Sequence, residues 1–324
     1  MEAANRFEMS FSEGPIDPTA ATQPNRPAAG LDSFQLVHIQ SAVPKPDVPK
    51  RQEGCLGCGW RPMAVFLILP MVYFLWPFHT NFLVLGIDGG LGRGELGRTD
   101  TIILGTVSTL RPYVGLLSIP RDLWVPIEDV GENRINTAYF YAEAAVPGSG
   151  PQAVANVVQQ NFKVPVHYYV ILRMDGLLDF INAMGGVDIN LPAQMSGFPA
   201  GSQHLDGTKA LAFARSRAGS DDFARMKQAQ LLIKAVMRRV LQPEVWPRLP
   251  EIYQATKAVI ITNIPFWQWP RLGVSLLRLG QDNLDTRTIT REMVHPFTTN
   301  QGAQVLAPDW EAIWKVTREM FGRW

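Results

Sequence analysis

The side chains best suited to chemistry fall in two stretches far apart in the chain. The first runs Gly86-Ile-Asp88, then Arg98-Thr-Asp100-Thr101, then Ser118-Ile-Pro-Arg121-Asp122. The second runs Arg215-Ser-Arg217, then Asp222-Phe-Ala-Arg225-Met-Lys227-Gln228. Guanidinium groups grip phosphate oxygens bidentately and keep their charge at any working pH. Carboxylates among them would repel a phosphate unless a divalent cation sat between, and oxygen donors suit such a cation. Acids and arginines in this mixture point to the handling of a pyrophosphate.

The elements around these residues explain how they would meet. Residues 82–87, 101–107 and 113–119 are short apolar runs rich in β-branched residues and separated by Gly and Pro signals, so they read as strands. Asp88 ends the first, Asp100 precedes the second and Arg121 follows the third, which delivers charge to one edge of a sheet. Taken singly, the aspartates also suit turns, and Arg121-Asp122 suits an internal ion pair. Arg215 and Arg217 straddle Ser216, so they share a direction only in an extended or helix-terminal segment. Asp222 is placed to cap a helix whose first turn carries Arg225, with Lys227 and Gln228 extending the same polar strip. Gly92-Arg93-Gly94-Glu-Leu-Gly97 matches the dinucleotide glycine pattern, but that fingerprint needs its last glycine to open a helix, and here a strand follows. Those glycines read instead as a loop that offers Arg93 to a ligand.

Helical periodicity over 136–145, 152–161, 175–184, 207–215, 222–241 and 310–321 alternates with further strands at 168–172 and 187–190. The pattern predicts an α/β domain over residues 79–324, layered α-β-α around a mixed central sheet. Ahead of it, residues 1–59 are interrupted by prolines and lack apolar periodicity, so they read as a disordered cytoplasmic segment. Residues 63–78 are all apolar. With Trp60 and Trp76 as anchors and Lys45, Lys50, Arg51 and Arg61 on the N-terminal side, residues 60–78 are expected to form one transmembrane helix, a signal anchor. A buried core helix and a cleaved signal peptide are the alternatives. The anchor would place the N-terminus in the cytoplasm and the domain outside the cell membrane, tethered by His79-Thr80-Asn81.

Other chemistries find little support. A net charge of +1 with 18% charged residues argues against a nucleic-acid partner. Cys55 and Cys58 have the spacing of half a zinc site or a redox pair, but no second pair completes a metal site, and incidental cysteines near a membrane fit as well. The five histidines lack metal-ligand spacing, and no nucleophile elbow is present, so covalent catalysis is not expected.

Taken in order, Phe82-Leu-Val-Leu-Gly-Ile-Asp88, Arg98-Thr-Asp-Thr101, Leu117-Ser-Ile-Pro-Arg121-Asp122, Arg134-Ile-Asn136-Thr-Ala-Tyr139, Gly185-Gly-Val-Asp188 and Gly201–Arg225 resemble the LytR-CpsA-Psr family. The resemblance implies a phosphotransferase that moves a glycopolymer from a polyprenyl-pyrophosphate carrier to a hydroxyl of a cell-wall acceptor, commonly peptidoglycan. By motif, Asp88 and Asp100 would hold Mg²⁺, and Arg98, Arg121, Arg215, Arg217 and Arg225 would clamp the pyrophosphate, with Arg93, Lys227 and Gln228 nearby. Asp122 or Asp222 would accept the hydroxyl proton beside Arg121. Phe180, Ile181 and Met184 suit either a groove for the isoprenoid tail or ordinary core. A lipid-pyrophosphate phosphatase and a non-catalytic envelope regulator use the same residues and are the rival expectations.

Overall fold

The computed structural model describes residues 65–66, 68, 71–73, 79–87, 99–109, 113–216, 221–279 and 284–322. The chain divides into units 1–55 and 56–324, and every described residue lies in the second. The expectation of a disordered N-terminal segment, and Cys55 and Cys58 with it, lies outside the described residues.

A six-stranded sheet organises the fold. Its strands are β1 (His79–Ile87), β2 (Thr99–Ser108), β3 (Tyr113–Ile119), β6 (Tyr168–Arg173), β9 (Ile260–Thr262) and β10 (Leu284–Thr288), in the order β10-β3-β2-β1-β6-β9. β1 pairs antiparallel with β2 and parallel with β6, and β3 pairs antiparallel with β2 and parallel with β10, so the sheet is mixed. The pairing sends the C-terminal ends of β1, β3, β6 and β10, and the N-terminal end of β2, to one rim. That rim is where the charged residues emerge.

Successive residues of a strand face opposite sides, and here both sides are covered. Leu83, Leu85, Ile102, Leu104, Leu117 and Ile119 face helices α1 (Thr137–Ala145), α2 (Gly150–Phe162) and α8 (Trp310–Phe321). The alternate set, Val84, Ile103 and Leu116, meets Ile233 and Met237 of α5 (Asp222–Val240). Near-continuous apolar runs are what a sheet buried on both faces requires. Phe82 lies opposite Gly105, and a Cβ at Gly105 would overlap its ring. At the rim end of β1 the register shifts between Gly86 and Ile87, where a Cβ on Gly86 would sit 2.9 Å from Thr101 Cβ. Only glycine permits that approach.

Three hairpins complete the chain: β4 (Trp124–Ile127) with β5 (Gly131–Arg134), β7 (Val187–Leu191) with β8 (Gly201–Leu205), and β11 (Val294–Thr298) with β12 (Gln304–Pro308). Helices α3 (Leu177–Ala183), α4 (Gly207–Arg215), α6 (Leu249–Val259) and α7 (Trp269–Leu279) fill the remainder. Phe180, Ile181 and Met184 are 8%, 0% and 0% exposed within a second apolar cluster, so they are core.

The expected transmembrane helix is overturned. Among the described residues, no helix is long and apolar enough to cross a membrane. The apolar run falls short of the ~20 residues that span a bilayer and contains Pro70 and Pro77, each of which removes a helix hydrogen bond. Nor is His79-Thr80-Asn81 a tether: these are the first three residues of β1, with Asn81 1% exposed and its side-chain amide donating to the Pro165 carbonyl at 2.9 Å.

Gly207 opens α4 with its N–H donating to Asn182 Oδ1 at 2.8 Å, and a Cβ there would overlap the Leu178 carbonyl oxygen. Because the obstacle is backbone, Gly207→Ala should lower unfolding stability by ~1–3 kcal/mol. Urea denaturation followed by far-UV circular dichroism measures it; an unchanged midpoint contradicts the close approach.

Candidate active site

Arg121 follows Pro120 at the rim end of β3. Its Nη1 donates to Asp100 Oδ1 at 2.7 Å, while its Nε lies 2.9 Å from Asp222 Oδ1 and 3.5 Å from Asp122 Oδ2. Arg225, in the first turn of α5, reaches Asp100 Oδ2 at 3.6 Å and Asp222 Oδ1 at 4.0 Å. Arg134, closing β5, lies 3.3 Å from Asp122 Oδ1. These six side chains are 17–28% exposed, so they are reachable from solvent yet partly desolvated, and their attractions exceed those of an open surface.

Backbone contacts fix the loop that carries Arg121. The Leu123 N–H donates to the Pro120 carbonyl at 3.2 Å, the Asn136 N–H to the Arg121 carbonyl at 3.3 Å, and the Leu306 N–H to the Asp122 carbonyl at 3.1 Å. The loop's own turn, the start of α1 and β12 therefore hold the Arg121-Asp122 pair. On α5, the cap is Asp221 rather than the expected Asp222: its carboxylate accepts from the Ala224 N–H at 3.0 Å. With the cap supplied one residue earlier, Asp222 turns to Arg121.

The structure thus brings Asp100, Arg121, Asp122, Asp222 and Arg225 into one network. Arg215 ends α4 at the same rim, but its Nη2 lies 3.6 Å from Asp175, which Arg173 also approaches at 3.9 Å. Lys227 is exposed and lines a cleft of ≈ 550 Å³ with Phe223, Gln230, Lys234, Thr288 and Arg291. Gln228 is corrected: it is 2% exposed, and among the described residues neither side-chain polar atom has a hydrogen-bond partner. One residue along a helix is a turn of about 100°, which carries Gln228 off the polar strip and toward the interior. Asp88, Arg93, Arg98 and Arg217 lie outside the described residues. Sequence reasoning missed Arg134, Arg173 and Asp175 as members of the rim. Arg134 stood in a recognised motif, but only the β4–β5 hairpin turns it onto Asp122.

A family model for the LytR_cpsA_psr family matches residues 78–321. The chain belongs to the LytR_cpsA_psr family. The matched span includes every residue of the rim network. Among LytR_cpsA_psr relatives, the polyisoprenyl-teichoic acid–peptidoglycan teichoic acid transferase TagU of Enterococcus faecalis is 31% identical over 194 residues, covering 57% of this chain and 62% of that protein. TagV of Bacillus subtilis, which carries the same transferase name, is 26% identical over 226 residues, 65% of this chain and 56% of that protein. The match therefore spans less than two thirds of either relative. The crystal structure of Bacillus subtilis TagV superposes with a TM-score of 0.62 at 25% identity, covering 75% of this chain and 97% of that one.

Family resemblance implies Mg²⁺, and the described part of the site fits it by donor chemistry. Asp100 offers hard carboxylate oxygens at the rim, each touched by a different arginine, so each keeps a lone pair for a cation. Among the described residues no group of three acidic, His or Cys side chains could hold a metal, so Asp100 would need help from the 88–98 segment or from substrate oxygens.

The charges shift one another. Burial alone would lower the Arg121 guanidinium, but Asp222, Asp100 and Asp122 outweigh it and raise its pKa, so it stays charged. Burial pushes the Asp222 carboxyl above the usual range; Arg121 pulls it back, Asp122 reinforces the rise and Arg225 opposes it. A carboxyl raised in the folded state holds its proton longer than in the unfolded chain. Its contribution to stability is therefore favourable at low pH and is lost as pH rises from the ordinary 3.8 through the raised value. Asp222→Asn should flatten stability against pH across that acidic window, as read from urea midpoints at a series of pH values; an unaltered slope refutes the raised carboxyl.

Proposed function

We propose that the chain is a phosphotransferase that moves a glycopolymer from a polyprenyl-pyrophosphate carrier onto a hydroxyl of a cell-wall acceptor such as peptidoglycan. The observation that carries the reading is Arg121 held among three carboxylates at the sheet rim, with Arg225 bridging two of them. The transferase names of the family relatives support it. Such a carrier is made and used at a membrane, so the proposed place of action is the outer face of the cell membrane, where carrier and wall meet.

Arg121 and Arg225 would exchange carboxylate contacts for oxygens of the pyrophosphate, joined by Arg215 and by Arg98 and Arg217. Asp88 and Asp100 are the proposed holders of Mg²⁺, which when bound supplies positive charge to the pyrophosphate oxygens. The acceptor hydroxyl attacks the glycan-side phosphorus and forms the new P–O bond. The bridging P–O bond breaks, its electron pair leaves with polyprenyl phosphate, and the hydroxyl proton passes to a carboxylate. Asp222 fits that role better than Asp122. Among the described residues its Oδ2 has no hydrogen-bond partner, and its raised pKa makes it the stronger base, whereas both Asp122 oxygens face arginines. Because little covalent work falls to the protein, alignment and charge stabilisation supply most of the acceleration. The cleft beside Lys227 has the size for a saccharide segment, with Lys227, Gln230, Lys234 and Thr288 set in a mainly apolar lining.

A phosphatase reading differs only in using water as acceptor, so products decide. Purified chain, a lipid-pyrophosphate glycan, a wall oligosaccharide and Mg²⁺ should yield acceptor-linked glycan and polyprenyl monophosphate. Release of free glycan phosphate alone would favour the phosphatase, and binding without turnover would favour a regulator. Arg121→Ala should cut turnover by ~10²–10³-fold. Since that change also strands three carboxylates, Arg225→Ala provides a second arm, with folding checked by circular dichroism.

Asp222 accepts a proton only when ionised, so activity should rise with pH through its raised value. Asp222→Asn should cost ~10²–10⁴-fold and erase that acidic limb. A limb that survives in the variant assigns the base elsewhere.

A further inference from the structure

Exposed aromatic side chains gather in two places. β9 runs antiparallel to β6 and carries the chain away from the rim, so Phe266 and Trp267 lie toward the opposite end of the sheet, far from the chemistry. A second pair stands beside the site itself. Trp124 lies two residues beyond Asp122, so their Cα atoms are at most ~7 Å apart. It opens β4 and pairs across the hairpin with Arg134, and such partners project from the same face. Arg134 approaches Asp122 Oδ1 at 3.3 Å. The indole and the guanidinium that meets Asp122 therefore share a face.

The β11–β12 hairpin enlarges this surface. Leu123 bridges in parallel to Leu306, and Arg134 Nη2 donates to the Gln304 carbonyl at 2.8 Å, which fixes the second hairpin against the first. Phe297, 39% exposed, then meets Trp124 with ring centroids 6.0 Å apart and planes at 86°. The Trp124 Nε1–H donates to Glu132 Oε2 at 3.1 Å, which sets the orientation of the indole, and Glu132 is itself exposed. Two rings meeting at a corner, flanked by a carboxylate and a guanidinium, match the chemistry of a pyranose. Its C–H bonds form an apolar face that aromatic rings cover, and its hydroxyls exchange hydrogen bonds with charged side chains.

We propose that Trp124 and Phe297, with Glu132 at their edge, form the subsite that holds the acceptor saccharide. The proposal deepens the transferase reading and rests on it for the role of the sugar, though not for its binding. A ring stacked on Trp124 sets a hydroxyl of that sugar, or of its neighbour, beside Asp122 and Asp222. The cleft beside Lys227 is built from other elements, α5 and β10, which leaves it to the glycan of the carrier. Donor and acceptor would then reach Arg121 over separate surfaces.

The test uses the full chain and chitotetraose, a linear oligomer of N-acetylglucosamine, as the acceptor probe. Saturation-transfer NMR reads binding without turnover: the ring protons of the tetramer should take up saturation from the wild-type chain. Phe297→Ala, which removes an exposed ring, should weaken binding by ~5–10-fold. Trp124→Ala should weaken it at least as much, and Trp124→Phe should restore part of the loss. In transfer assays the same variants should raise KM for the tetramer and leave KM for the lipid carrier at the wild-type value. No saturation on the tetramer, or equal binding by Phe297→Ala and Trp124→Ala, overturns the subsite. A rise confined to the carrier's KM also overturns it, by assigning the rings to the donor. Ring-dependent binding in a chain that gives no transfer upholds the saccharide site and sinks the transferase reading instead.

Discussion

Charge pairing at the centre of the rim is the constraint on which the site depends. Three arginines, Arg121, Arg134 and Arg225, face three aspartates, Asp100, Asp122 and Asp222, across distances of 2.7–4.0 Å. Partly desolvated charges of one sign cannot be gathered without the other, because an unpaired charge taken from water costs several kcal/mol. Among the described residues, these six groups are therefore paired with one another at rest. On the proposed reading, a pyrophosphate entering the site would add negative charge and compete with the aspartates for the same guanidinium groups. Each carboxylate released in that exchange must find a cation or a proton. Asp222, already inclined to protonate by its burial, is the member best suited to take one.

The scaffold meets the demands of this exchange by supplying the charges from separate elements. Asp100 comes from the start of β2, Arg121 and Asp122 from beyond β3, Arg134 from β5, and Asp222 and Arg225 from α5. The sheet beneath is buried on both faces, so the strand ends cannot drift independently. The loop after Pro120 is further held by hydrogen bonds from the Leu123, Asn136 and Leu306 amides. Arginines positioned by a rigid frame lose little freedom when they change partners, which is what electrostatic preorganisation requires.

Much of this was legible in the sequence, for physical reasons that also mark where legibility ended. β1, β2 and β3 declared themselves because strands buried on both sides must be apolar throughout, and charge at their ends then had to share an edge. Arg121 and Asp100 followed from that alone. Arg134 and Asp175 did not, because their partners are set by a hairpin and a helix end that no local pattern specifies. Gln228 was misplaced by treating neighbours on a helix as neighbours on a face, and Asp222 was taken for the cap that Asp221 supplies. The apolar stretch before β1 had the composition of a membrane span, but its length and its prolines did not support one.

The sheet's two ends differ in kind, one ionic and one aromatic, and β1 runs the distance between them in nine residues. At a rise of ~3.3 Å per residue that is about 30 Å. Screening in physiological salt acts over ~8 Å, several times less than that span. A ligand bound among the rim charges is therefore felt at the aromatic end only through the frame of the sheet, not through space.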